Sequence, residues 1–136
     1  MNAIKLNYIL LMLPGKRILV IDDEKNLSIV IQACLEDIGG WETLTALSAK
    51  EGLVIAQTQQ LDAILLDVMM PDMDGLTLFQ ELQKNSVTQT IPVILFTAKV
   101  LSSDLDQFAK LGVAGIIAKP FDPMTLADQV ASTLGW

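Results

Sequence analysis

The sequence contains no histidine. That removes a histidine general base, any triad built on one, and a phosphohistidine carried by this chain. Its one cysteine, Cys34, has no partner for an internal disulfide, and without histidine or a second cysteine there is no zinc site to build. Cys34 lies in an apolar stretch and reads as an inert buried thiol in a reducing compartment, the cytoplasm. Basic residues are scarce. Nine lysines and arginines against 16 acids give a formal charge of -7, which argues against direct binding to a nucleic acid backbone. Long hydrophobic runs are missing too. The apolar run Tyr8–Leu13 before Pro14-Gly15 falls far short of the roughly 20 residues of a membrane span, and no small-x-small cleavage site follows it to make a good secretory signal.

What is present is enough for one core. A chain of 136 residues, 51% hydrophobic and 18% charged, fits a single domain that needs no disulfide or structural metal. Residues 1–15 read as an apolar extension, disordered or docked, or as an upstream start before a natural beginning near Met12. The alternative is an amphipathic segment that contacts a partner or a second copy. Residues 16–136 form the domain.

Strand and helix signals alternate five times. The strand-like runs are Arg17 to Ile21, Trp41 to Ala46 at an edge, Asp62 to Leu66 at the centre, Ile91 to Phe96, and Gly115 to Ala118. Helical spacing runs from Lys25 to Ile38, stopped by Gly39-Gly40 in the left-handed conformation. Further helices start at Ser48, capped there and ending near Gln59, at Asp74, at Ser102 or Ser103, and at Asp122. This pattern predicts an α/β fold: a parallel sheet covered on both faces, with right-handed crossovers.

Polar residues stand at the ends of four of these runs: Asp22 and Asp23, Asp67, Thr97, and Lys119. The carboxyl ends of parallel strands lie along one edge of the sheet, where ligands bind, so these residues should meet. Each has a plainer explanation: an aspartate can cap a helix or make a turn, a threonine can cap, a lysine is usually a solvated charge. One cap needs only one aspartate, however, and a second carboxylate at a buried strand end suggests a cation. Hard oxygen ligands fit Mg2+, with Mn2+ close behind.

Four stretches, Ile18-Leu-Val-Ile-Asp-Asp-Glu24, Leu65-Leu-Asp-Val-Met-Met-Pro-Asp-Met-Asp-Gly75, Ile94-Leu-Phe-Thr-Ala98 and Ala118-Lys-Pro-Phe121, together resemble the receiver domains of two-component response regulators. The resemblance covers about Lys16 to Trp136. It implies a flavodoxin-like (βα)5 three-layer sandwich with strand order 2-1-3-4-5. It makes Asp67 the phosphoacceptor, with Mg2+ held by Asp22, Asp23, Asp67 and the backbone carbonyl of Met69. Thr97 matches the switch hydroxyl, and Lys119, before an often cis Pro120, matches the lysine that contacts the phosphoryl oxygens. The implied activity is that of a signalling switch rather than a turnover enzyme. Its donor is a sensor histidine kinase or a histidine phosphotransfer protein, and its output a downstream protein target. A homodimer through the face of the fourth helix, fifth strand and fifth helix is a further partner this resemblance allows.

One position departs from the family pattern. Ile116 stands where the family usually carries a switch tyrosine or phenylalanine, and a branched aliphatic side chain cannot swing like a ring. The expected route to the surface is then the loop from Ala98 to Leu101. Met69 and Lys99 flank the phosphoryl position, Met69 placed to shield an acyl phosphate and Lys99 to contact a phosphate oxygen or a nearby acid.

Rival readings fit less well. A haloacid dehalogenase-type phosphatase wants Asp-x-Asp after the first strand. An EF-hand places Asp72, Asp74, Gly75 and Glu81 at positions 3, 5, 6 and 12, but with Met70 at position 1 and a strand before it. A flavodoxin needs a Ser/Thr/Gly-rich phosphate loop where Asp22-Asp23-Glu24 stands. Within the receiver reading, a single-domain regulator, a phosphorelay carrier and a receiver from a longer regulator all remain open.

Overall fold

The computed structural model describes residues 2–5, 15–98 and 102–136. Five strands, β1 Arg17–Ile21, β2 Glu42–Ala46, β3 Ala63–Asp67, β4 Val93–Thr97 and β5 Gly115–Ala118, alternate with helices. The helices are α1 Lys25–Ala33, α2 Ala49–Thr58, α3 Gly75–Lys84, α4 Ser102–Lys110 and α5 Leu126–Leu134. All strand pairs are parallel, as the alternation predicts, and the order is β2-β1-β3-β4-β5, as the resemblance implies. This is the flavodoxin-like α/β arrangement.

Side chains alternate across the sheet and fill two apolar layers. On one face, Ile18 and Val20 of β1, Leu65 of β3, Phe96 of β4 and Ile117 of β5 pack with Ile31 of α1 and Leu126 and Val130 of α5. On the other, Leu19, Ile21, Leu66 and Leu95 pack with Ala56 of α2, Leu78 and Leu82 of α3, and Phe108 of α4. Strands β1, β3 and β4 are buried almost throughout, which is why they read as continuous apolar runs.

Several boundaries differ from the sequence reading, each for a local reason. The first helix continues past Ala33 as a widened π-helical turn, Cys34–Ile38, in which Gly39 N–H donates to the Cys34 carbonyl. Of the two glycines, only Gly40 takes the left-handed conformation, at φ 73°. Strand β4 starts at Val93 rather than Ile91, after Pro92, whose carbonyl instead accepts the Ile64 N–H. Helix α5 starts at Leu126 rather than Asp122. Asp122 makes a turn first: its Oδ1 accepts the Met124 N–H, and its carbonyl accepts the N–H groups of Thr125 and Leu126. Of the expected extension over residues 1–15, residues 3–5 form a helical turn in which Asn2 Oδ1 accepts the Lys5 N–H; most of that expectation lies outside the described residues. So do Lys99 and most of the loop from Ala98 to Leu101. No described helix is long and apolar enough to cross a membrane.

Candidate functional site

Strand parity places the acidic pocket. Asp22 continues the side of β1 that carries Ile18 and Val20, Asp67 the side of β3 that carries Leu65, and Lys119 the side of β5 that carries Ile117. Period-two alternation therefore aims all three toward the α1 and α5 side of the sheet. They do meet. Lys119 Nζ lies 3.3 Å from Asp22 Oδ2 and 3.2 Å from Asp67 Oδ2. The Lys119–Pro120 peptide is cis.

The other carboxylate oxygens are held by backbone N–H groups. Glu24 N–H donates to Asp22 Oδ1 at 2.8 Å, and Met69 N–H donates to Asp67 Oδ1 at 3.1 Å. This answers the capping question for the first helix: neither aspartate caps it by the usual side-chain bond, and Glu24 occupies the cap position without one. Asp22 instead closes a two-residue turn that leaves its second oxygen facing Lys119.

Asp22 and Asp67 are 1% and 3% exposed, whereas Asp23 is exposed. One carboxylate oxygen from each of the three lies within 4.8 Å of the others. Three carboxylates facing one ammonium leave two negative charges uncompensated, which a single divalent cation would neutralise. The donor set is all oxygen, the preference of Mg2+ or Mn2+. These residues therefore fit the cation that the sequence suggested.

Burial pushes the Asp67 carboxyl above its ordinary value of 3.8, with Asp22 adding to the rise, against the Met69 N–H and Lys119, which favour the ionised form. For Lys119, burial works against the ammonium, but the charges of Asp22 and Asp67 outweigh it and raise its pKa above 10.5. Lys119 also stands over the Phe96 ring, 4.8 Å from its centroid, and Phe96 packs on Phe121 at 5.2 Å. An apolar wall thus holds the lysine in place.

Thr97 is fully buried at the end of β4, and its carbonyl accepts the Lys119 N–H at 2.8 Å. Strand alternation puts Thr97 with Val93 and Leu95, in the row opposite that of Asp22, Asp67 and Lys119. Met69 is 58% exposed at the pocket rim. Ala98 is exposed beside it, and Ile116 is half-buried against the β4 and α4 layer. Gly75 lets α3 start close under the loop: a Cβ there would strike the Asp67 carbonyl oxygen and lie 2.7 Å from Val68 Cα.

The carboxylates of the rejected calcium loop diverge. Asp74 caps α3 by accepting the Thr77 N–H, Glu81 pairs with Lys84, and Asp72 accepts the N–H groups of Ala49 and Lys50. Sequence reading did not single out Phe96 as the support for Lys119, although the residue before a strand-end threonine must point to the opposite face. Nor did it find a groove of about 390 Å3 beside Lys119, lined by Leu27, Val30, Ala98, Pro120, Phe121 and Pro123.

The chain is similar to known proteins over most of its length. Residues 18–131 match the model of the response regulator receiver domain. The probable transcriptional regulator ycf27 of Cyanophora paradoxa is 38% identical over 119 residues, which cover 88% of this chain and 48% of that protein. The phosphate regulon transcriptional regulatory protein PhoB of Pseudomonas aeruginosa is 33% identical over 120 residues, 88% of this chain and 52% of that protein. The chain thus spans about half the length of these relatives. Among solved structures, the chemotaxis response regulator CheY4 of Vibrio cholerae has a TM-score of 0.81 at 27% identity, covering 88% of this chain and 98% of that one. The receiver domain of the sensor histidine kinase PA1611 from Pseudomonas aeruginosa, solved with magnesium coordinated in its active site cleft, has a TM-score of 0.78 at 27% identity, covering 90% of this chain and 99% of that one.

Proposed function

Because the chain belongs to the response regulator receiver domain family of two-component signalling, we propose that it accepts a phosphoryl group on Asp67 from a phosphohistidine of a partner kinase or phosphotransfer protein. The observation that carries this reading is the Lys119 ammonium held between the buried carboxylates of Asp22 and Asp67. An oxygen of Asp67 forms the new P–O bond in line with the breaking P–N bond, whose electron pair returns to the partner's imidazole. Lys119, already 3.2 Å from the acceptor oxygen, shifts to the phosphoryl oxygens and neutralises part of their charge. Mg2+, held by Asp22, Asp23, Asp67 and the Met69 carbonyl, supplies the remaining positive charge when bound; its presence in the similar PA1611 receiver cleft supports this choice.

After transfer, Thr97 donates its hydroxyl to a phosphoryl oxygen, and the chain from Ala98 to Leu101 follows it. With Ile116 in place of an aromatic ring, this loop carries the change to the α4, β5 and α5 face, which engages a downstream protein or a second copy. Met69 shields the acyl phosphate from water. The longer relatives, named as transcriptional regulators, favour a regulatory output over a relay step, and they confine the argument against nucleic acid contact to the receiver domain itself. The decisive experiment is intact mass after incubation with a small acyl phosphate donor and Mg2+. Wild type should gain one phosphoryl group, lost when EDTA precedes the donor; a label that survives Asp67→Asn unchanged would sink the assignment.

A further inference from the structure

The loop from Val68 to Asp74 follows Asp67 and carries Met69, and several hydrogen bonds fix it. Met69 N–H donates to Asp67 Oδ1, and Gly75 N–H donates to the Val68 carbonyl at 2.8 Å. Those two bonds stay within the loop and its ends. At the β3 end, Val68 N–H also donates to the Phe96 carbonyl of β4 at 3.3 Å, and from its middle the loop reaches α2. Asp72 Oδ1 accepts the Ala49 N–H and Asp72 Oδ2 accepts the Lys50 N–H, each at 3.2 Å.

Ala49 and Lys50 open α2, where N–H groups have no acceptor within the helix. Ser48 Oγ takes the Glu51 N–H at 3.1 Å, and Glu51 Oε2 takes the Leu47 N–H at 3.2 Å. The start of α2 is thus closed jointly by its own cap and by a carboxylate from the loop beside the site. The grip of the Ala49 N–H, with that of Lys50, holds the Asp72 carboxyl below its ordinary value of 3.8, so it is ionised at neutral pH. Asp72 takes no part in the acidic cluster of Asp22, Asp23 and Asp67. Its oxygens are turned away to α2.

We propose that Asp72 is a positioning residue for the cation site: its clamp on the start of α2 fixes the loop that presents the Met69 carbonyl. This rests on the receiver reading above. Without the clamp, the loop keeps the bonds at its two ends, among them Val68 N–H to the Phe96 carbonyl at 3.3 Å and Thr77 N–H to Asp74 Oδ1, but loses its tie to α2, so the Met69 carbonyl is less firmly directed while the three carboxylates stay in place.

The test uses the full chain and Mg2+ alone, with affinity read by calorimetry. Asp72→Ala should raise the Mg2+ Kd roughly tenfold, the scale of losing a residue that orients a metal ligand. Asp72→Asn keeps one acceptor oxygen and should fall between. Phosphorylation of Asp72→Ala should slow at limiting Mg2+ and recover at saturating Mg2+, and amide exchange should quicken at Met69 and Met70. Ser48→Ala is the control, since it weakens the same helix end without touching the loop; its Kd should match wild type. An Asp72→Ala Kd within about twofold of wild type would overturn the proposal, as would an equal rise in Ser48→Ala, because either makes Asp72 only a helix cap. If Asp72→Ala does not fold, Asp72→Asn against Ser48→Ala decides it by the same criteria. A wild-type chain that binds no Mg2+ overturns this inference and the receiver reading together; unchanged affinity in the variant overturns this inference alone.

Discussion

At Asp67 the fold sets burial against pairing, and burial wins: the carboxyl is held above 3.8 despite the Met69 N–H and Lys119. A carboxyl whose pKa is raised on folding contributes stability below its unfolded value and loses it as pH climbs through the folded value. In EDTA, wild type should therefore lose stability as pH rises above about 4, and Asp67→Asn should not show that part of the loss. At neutral pH without metal, Asp67→Asn should be more stable than wild type by about 1 kcal/mol, because Lys119 still has Asp22 at 3.3 Å. Urea unfolding of both proteins across pH checks this. Lys119→Met should act in the opposite sense. It leaves two buried carboxylates facing each other with no cation and should cost about 2 kcal/mol in EDTA, a buried-pair loss reduced for the partial exposure of the lysine. The identity of these residues was legible because strand ends of one sheet edge must converge. Their division of labour was not: Asp23 lies exposed while Asp22 is buried, and two adjacent aspartates look alike until the parity of β1 is fixed.

The elements were legible to the extent that burial dictated them. Apolar runs located all five strands, and the caps at Ser48 and Asp74 follow from side chains that accept the N–H three residues on. The end of the first helix shows the limit. Apolar spacing cannot tell an ordinary turn from a widened one, and what shapes Cys34–Ile38 comes partly from outside the helix. Thr43 of β2, itself buried, donates its hydroxyl to Glu36 Oε1 at 2.6 Å. That bond, followed by one from Gln32, holds the Glu36 carboxyl below 4.5. A lowered carboxyl contributes stability above its unfolded value and loses it as pH falls through the folded value. Thr43→Val should cost about 1 kcal/mol at neutral pH and less below pH ~4, where Glu36 is protonated in both proteins. Gly40→Ala is the matching backbone test. At φ 73°, with nothing within 4 Å of a new Cβ, it should cost about 1 kcal/mol through conformation alone.

Over the whole molecule, the acidic pocket and the tryptophan pair occupy opposite ends of the sheet. Trp41 lies just before β2, and Trp136 packs on it edge to face at 5.1 Å, with Lys16 Nζ 5.2 Å from the Trp136 ring centroid. Both tryptophans join the layer that also holds Ile18, Leu35 and Val130, so they report on the core without touching the pocket. Composition and alternation gave no sign that the two ends of the sheet would be so differently built, since Trp136 finds Trp41 only once α5 has packed beside the first helix. If the domain unfolds as one unit, a ligand that binds only the folded state at the acidic end must stabilise the aromatic end equally. Mg2+ at about 100 times its Kd should add roughly 2.7 kcal/mol. The midpoint of urea unfolding followed by tryptophan emission should shift by that amount and coincide with the midpoint from far-ultraviolet circular dichroism. Emission from the folded protein should stay nearly constant during the titration, because no ligand atom approaches either ring. A midpoint shift in circular dichroism without one in tryptophan emission would mean that the two ends melt separately, and that the layer joining α1 and α5 to the sheet does not carry stability from the pocket to the opposite end.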